Sequence, residues 1–262
     1  MFDNPLYKST YNDLFVLMEF FGPSVQIGLE NPFAGLSIPE KDALRKDSLR
    51  RLNEQKVIFY PQLSNIPQLK DKNLVKILEI IAHPKHSLLI SSEADQPETR
   101  TFHYGDNEDV VSVQQENKNV VINTCSSEQV FQYITSKLDF SENDQSTQRY
   151  DPIELDEKLV NQVKELFQKN DMRSALDLLK DAGVKESLVE PLANALCKSD
   201  INLGLVVFPN RSRSDSPVKP LGILRKGDYL WTVEASNLDN HTAIIKCVSK
   251  QKLLDRIHSI LP

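Results

Sequence analysis

The sequence predicts an α+β fold built by internal duplication: two pseudo-twofold-related halves, each with helices packed on an antiparallel four-strand sheet. Three observations lead there. Ser87–Leu138 reads strand, strand, strand, strand, helix, and Asn202–Leu261 reads the same way. An apolar helix precedes each block, Leu74–Ala82 before the first and Ser187–Cys197 before the second. A further pair of helices stands ahead of each of these. Residues 1–140 therefore form a first half, 141–151 a linker and 152–262 a second half, and the halves can pack as a single globular unit.

The first element is a helix over Tyr11–Phe21, with Leu14, Leu17, Met18 and Phe21 at helical spacing, stopped by Gly22-Pro23. A short strand is expected at Val25–Leu29. A charged helix follows over Pro39–Val57, capped by Ser37 with Glu40 as its capping-box partner. Its expected buried positions are Ala43, Leu44, Leu49 and Leu52, and Asp42–Lys46 and Asp47–Arg51 are its i,i+4 ion pairs. Phe59–Lys72 holds Pro61 and Pro67 and reads as a linker or short turns. Asp71 opens the next helix, striped by Leu74, Ile77, Leu78 and Ile81.

In the first strand block Val111 and Val113 share a face, as do Val120 and Ile122. Gly105–Asn107 and Glu116–Asn119 are hairpin turns. Ser126 or Ser127 starts a helix that buries Val130, Phe131, Ile134 and Leu138. Asp139–Asp151 is polar and poor in large aliphatics, hence the linker. Helices over Asp156–Lys169 and Met172–Asp181 follow, the second capped by Asp171 and stopped by Gly183. In the second strand block Asn210–Lys219 is a long polar loop, the counterpart of Ser92–Glu98 in the first.

Composition narrows the function classes. The chain has 262 residues, is 40% hydrophobic and 26% charged, and carries a formal charge of -6. That balance argues against nucleic-acid binding through bulk charge. No apolar run approaches the roughly 20 residues of a membrane span, and no basic stretch followed by an apolar one opens the sequence. Three cysteines, Cys125, Cys197 and Cys247, in apolar contexts read as buried thiols of a reducing compartment, so the expected location is cytoplasmic.

Chemistry is scarce. His83 and His86 lack the further ligands a metal needs; His103 is expected to alternate outward from Phe102 and Tyr104. No metalloprotease, nucleophile-elbow, phosphate-loop or dinucleotide motif occurs, and no cofactor or catalytic residue is assigned. Cys125 and Cys247 sit at related strand-to-helix junctions, INTCSSEQ and IIKCVSKQ, which favours packing over catalysis. Glu93, Asp95 and Glu98 form an acidic loop read as a solvated rim. Arg211 and Arg213 form a basic loop, read either as steering a protein partner or simply as a soluble loop. Tyr229 and Trp231, two apart on a strand, are core residues, or interface anchors if the outer face of that sheet is open.

The layout resembles that of the EspG-like proteins of type VII (ESX) secretion systems. The stretches that carry the resemblance are YNDLFVLMEFF, PEKDALRKDSLRRLNEQKVI, LVKILEIIAH, NVVINTCSSEQVFQYITSKL, GDYLWTV and the closing TAIIKCVSKQKLLDRIHSILP. The sequence is poorer in Gly and Ala and richer in Lys and Asn than actinobacterial members, which points to a low-GC Gram-positive source. The resemblance implies a non-enzymatic cytosolic adaptor or chaperone. Its partner would be a helical secreted protein or heterodimer, with no nucleic acid and no membrane insertion. It also implies recognition through the second strand block and its loop, so Arg211, Arg213, Tyr229 and Trp231 are the protein-binding candidates. The competing expectation is a small-molecule enzyme or sensor with a cleft between the halves.

Overall fold

The computed structural model describes residues 6–22, 27–62, 64–93, 97–106, 108–140, 151–209, 218–237 and 241–261. It is an α+β structure with eight helices and a large antiparallel sheet among the described residues. The chain opens with strand β1 (Tyr7–Thr10), whose last residue caps α1 (Tyr11–Met18): Thr10 Oγ1 accepts from the Asp13 N–H at 3.2 Å. A short 3-10 turn over Glu19–Phe21 ends at Gly22. Helix α2 (Ile38–Glu54) begins as its sequence signals, the Ser37 N–H donating to Glu40 Oε2 at 2.8 Å. A ribbon of β2 (Ile58–Phe59) and β3 (Gln68–Leu69) occupies the stretch expected as a linker or short turns, and α3 (Lys72–Ala82) follows, with Asp71 accepting from the Asn73 N–H.

Strands β4 (His86–Ser92), β5 (Glu98–Tyr104), β6 (Val110–Glu116) and β7 (Asn119–Cys125) form a meander closed by α4 (Ser127–Lys137). Strand β8 (Ile153–Asp156) runs into α5 (Glu157–Gln168), with Asp156 as cap. Then come α6 (Met172–Asp181), α7 (Glu186–Lys198), the strands β9 (Ile201–Pro209), β10 (Lys219–Lys226), β11 (Tyr229–Asn237) and β12 (Thr242–Cys247), and α8 (Lys250–Ile260).

The expectation of a four-strand sheet in each half is corrected. There is one ten-strand sheet in the order β1-β7-β6-β5-β4-β9-β10-β11-β12-β8. Each block gains a short outer strand, and β4 pairs antiparallel with β9 through seven residue pairs, from His86↔Pro209 to Ser92↔Leu203. Pairing at this seam hides two strand edges that separate sheets would expose.

Three apolar clusters divide the sheet's faces. On one face α4 and α8 cover the middle of the sheet, where Val130, Ile134, Leu138, Leu253 and Ile257 meet Leu88, Phe102, Leu205 and Ile223. On the opposite face, α1, α2 and α3 bury Val111, Val113, Val120 and Ile122 at one end. At the other end the helices α5, α6 and α7 bury Leu224, Trp231, Ile245 and Cys247.

Several local expectations change. Ala43 is exposed, and the buried face of α2 is Ser48 with Leu52. Ser48 is buried because α2 turns its polar side onto Asp13 of α1. The Asp13 carboxylate, 2% exposed, takes Arg51 Nη2 at 2.7 Å, and Arg51 Nη2 also reaches Ser48 Oγ at 3.0 Å and Arg51 pairs with Asp47. Asp42 pairs with Arg45, at 3.4 Å, rather than with Lys46. Ile27 and Gly28 lie in a turn; the rest of the Val25–Leu29 strand expectation falls largely outside the described residues.

A candidate partner-binding surface at the sheet seam

Residues directly opposite in antiparallel strands point to the same face. One such row runs Pro220, Val206, Leu89, Thr101, Val113, Ile122 across β10, β9, β4, β5, β6 and β7. Val113 and Ile122 lie under α1 and α3, but Leu89, Val206 and Pro220 belong to none of the three clusters and are only half-buried. The neighbouring row contains Phe208, also half-buried. Among the described residues, the helices that cover this face at its two ends leave a half-buried apolar strip along the seam.

The strip has a low floor where Gly204 faces Gly222 across β9 and β10. A Cβ on Gly204 would stand 2.7 Å from Ser91 Oγ, and one on Gly222 would stand 3.2 Å from the Val233 Cβ. Along its first-half side the strip is bordered by the Ile27–Gly28 turn, held by Thr101 Oγ1 donating to the Ile27 carbonyl at 3.1 Å. Gly28 has φ +76, and a Cβ there would meet Thr101 Oγ1 at 2.4 Å and Leu89 Cδ1 at 2.7 Å. That position needs glycine for both conformation and space.

A cleft of about 530 Å³ lies at the seam, lined by Glu93 and Asn202 with Lys164, Phe167, Cys197 and Lys198 among others. Its rim is polar: Asn202 Nδ2 donates to Glu93 Oε2 at 2.6 Å, and the Lys198 ammonium stands 4.9 Å from the centre of the Phe167 ring. Burial raises the pKa of the Cys197 thiol that lines it.

The structure separates the four protein-binding candidates. Arg211 and Arg213 lie outside the described residues. Trp231 is fully buried beneath α5, α6 and α7, with Tyr229 stacked on it at 6.2 Å and 16° and itself half-buried. Trp231 is thus a core side chain on a covered stretch of sheet, not a surface anchor. The open stretch is two strands away, at Val206 and Phe208, which the sequence reading did not single out.

The titratable groups follow burial. His103 is 2% exposed, a correction to its expected outward position; its Nδ1 lies 2.9 Å from Ser87 Oγ, and burial lowers its pKa to about 4. Such an imidazole is neutral at pH 7. Burial raises all three thiols, Cys125 to about 12. The two junction cysteines are not equivalent: Ser126 caps α4 and Ser249 caps α8, so Cys125 stands one residue before its cap and Cys247 two. That one-residue offset turns them to opposite faces. Cys125 packs on the α4 and α8 side, and Cys247 packs beside Trp231 on the other. Glu98, expected at a solvated rim, accepts from Tyr133 Oη at 2.8 Å and pairs with Lys137. Among the described residues no group of His, Cys, Asp and Glu side chains suits a metal ion.

The fold and its seam thus define a sheet-based scaffold with a half-buried apolar strip among the described residues. No family model and no curated protein matches the sequence. Among solved structures, the chain is similar in fold to the type VII secretion system chaperone EspG5 of Mycobacterium tuberculosis, whose structure is of a complex with the PE25-PPE41 dimer. The TM-score is 0.61 at 10% identity, over 98% of this chain and 96% of that one. The EspG-like architecture expected from the sequence is thereby supported at the level of fold. Among the described residues no helix is long and apolar enough to cross a membrane.

Proposed function

We propose that the chain is a non-enzymatic cytosolic adaptor or chaperone that holds a helical substrate of a type VII secretion system. The observation that carries this reading is the half-buried apolar strip of Leu89, Val206, Phe208 and Pro220, set between two helical layers among the described residues, a setting that suits a helix or helical hairpin. The likeness to EspG5 over nearly the whole chain supports it. In this reading residues 1–140 and 152–262 are copies of one unit joined by 141–151. The strand order, which reads as the same sequence of equivalent elements from either end, supports that duplication. The basic loop of Arg211 and Arg213 lies between β9 and β10, next to the strip in sequence, and steers the partner.

The test is affinity capture from the native cell by the wild-type chain and by Val206→Glu. Burying an unpaired carboxylate in an apolar contact opposes binding strongly. The expected result is a predominantly helical protein that copurifies with the wild type and is reduced at least about tenfold by Val206→Glu. The variant's melting temperature serves as the folding control. Equal capture by both well-folded chains would remove the strip from the interface, and capture of no helical protein would defeat the adaptor reading.

A further inference from the structure

The β2–β3 ribbon has a makeup found nowhere else among the described residues. The paired Ile58 and Leu69 turn one face of the ribbon to the core, Ile58 being 1% exposed. The paired Phe59 and Gln68 take the other face, and Phe59 is 41% exposed. Tyr60 and Ile66, nearer the tip, are 45% and 72% exposed. Among the described residues, three of the seven exposed large apolar side chains therefore sit within this one short ribbon. In the second half the corresponding α6–α7 connection is only Ala182–Lys185, with no ribbon.

At the base of the ribbon stand Lys56, Lys70 and Lys72, all exposed and none in an ion pair among the described residues. The two neighbouring carboxylates are engaged: Glu54 faces Arg50 at 3.8 Å, and Asp71 accepts from the Asn73 N–H at 2.8 Å. The Lys70 N–H donates to the Val57 carbonyl at 3.0 Å and closes the ribbon's base. An aromatic and aliphatic tip behind a collar of unpaired lysines matches an anionic lipid surface. The rings enter the acyl boundary, and the ammoniums reach the headgroups on flexible stems.

We propose that this ribbon docks the protein peripherally on anionic membranes, an activity independent of the adaptor reading because the ribbon lies on the first-half helical layer, away from the seam strip. The occupant is a lipid surface rather than a protein because the charge that flanks the tip is net positive, its three lysines unpaired while Glu54 faces Arg50 and Asp71 caps α3.

Cosedimentation of the full chain with vesicles of phosphatidylcholine, alone and with phosphatidylglycerol added, tests this at low and high salt. Binding is expected only to the anionic vesicles, weakening as salt rises. Each lysine near such a surface contributes roughly fivefold, so K56Q/K70Q/K72Q loses at least about tenfold. F59S/Y60S/I66S is expected to lose a similar factor. Tyr60→Trp adds a surface indole whose emission shifts to the blue on anionic vesicles, whereas Trp231 stays in the core throughout. Absence of binding to anionic vesicles would overturn the proposal. So would binding that survives both triple variants, or binding without the Tyr60→Trp shift.

Discussion

The ion pair between α1 and α2 is the part of the structure most open to a quantitative test. Asp13 is 2% exposed, and its carboxylate faces Arg51, whose side chain is 29% exposed and also serves Asp47 and Ser48. Removing one member of a buried pair costs about 3–5 kcal/mol, because the survivor keeps a charge without its partner. The two members are not equally stranded. Arg51→Ala leaves a carboxylate sealed beneath two helices, so the full range applies. Asp13→Ala leaves a guanidinium that is nearly a third exposed and still paired with Asp47, so its cost falls to about 1–2 kcal/mol. In a chain of this size about 1 kcal/mol moves the melting temperature by roughly 2–4 °C. Arg51→Ala should therefore lower it by about 6–20 °C, and Asp13→Ala by a few degrees. The double variant should be more stable than Arg51→Ala alone, because it removes the stranded charge. Urea unfolding of the four chains at pH 7, read as a double-mutant cycle, supplies the coupling. Equal, small and additive losses would refute the argument and make the pair an ordinary surface bridge.

Three other outcomes follow from the same physical reading. Gly28→Ala forces a side chain into φ +76 and into Thr101 and Leu89, and should cost about 2–3 kcal/mol; Gly183→Ala, at φ +84 with nothing within 4 Å, should cost about 1 kcal/mol. Denaturation of the two variants side by side checks the difference. His103, depressed from 6.5 to about 4, binds its proton in the unfolded chain first, so stability should fall as pH drops through that window and level off below it. The amplitude is about 3 kcal/mol, and His103→Gln should flatten that slope. Cys125, its pKa raised to about 12 by burial, should resist iodoacetamide at pH 8 in the folded chain and react once urea unfolds it, as mass spectrometry would report.

The local signals were legible wherever a helix and its cap coincide in sequence. Ser37 with Glu40, Asp71 and Asp171 cap the helices they announce, Ser126 is the one of the two candidate serines that caps α4, and Leu74, Ile77, Leu78 and Ile81 form the buried stripe of α3. Strands β1 and β8 escaped notice because four residues carry no periodicity. Their sequences, YKST and IELD, become strands only because β7 and β12 offer free edges. A retrospective signal exists, since each ends on the residue that caps the next helix. The face of a strand residue was harder to read. His103 alternates correctly, but both faces of β5 are buried, so alternation did not mean exposure. The strip at the seam was hidden for a similar reason. Leu89 and Val206 resemble any strand hydrophobic, and only the spacing of two distant helical layers leaves them half-buried rather than sealed.

Strands β1 and β8 also bear on solubility. A sheet of ten strands is a template for further strand addition, and its hazard lies in the two outermost edges. Here each outermost strand is four residues long and turns at once into a helix through its capping side chain, Thr10 or Asp156. Lys8 stands exposed on one and Glu154 on the other. An incoming chain meets only a few free backbone groups beside a charge, too short a ledge to propagate a fibre. Lengthening either strand, or replacing Lys8 or Glu154 with valine, would turn a closed end into a growing one.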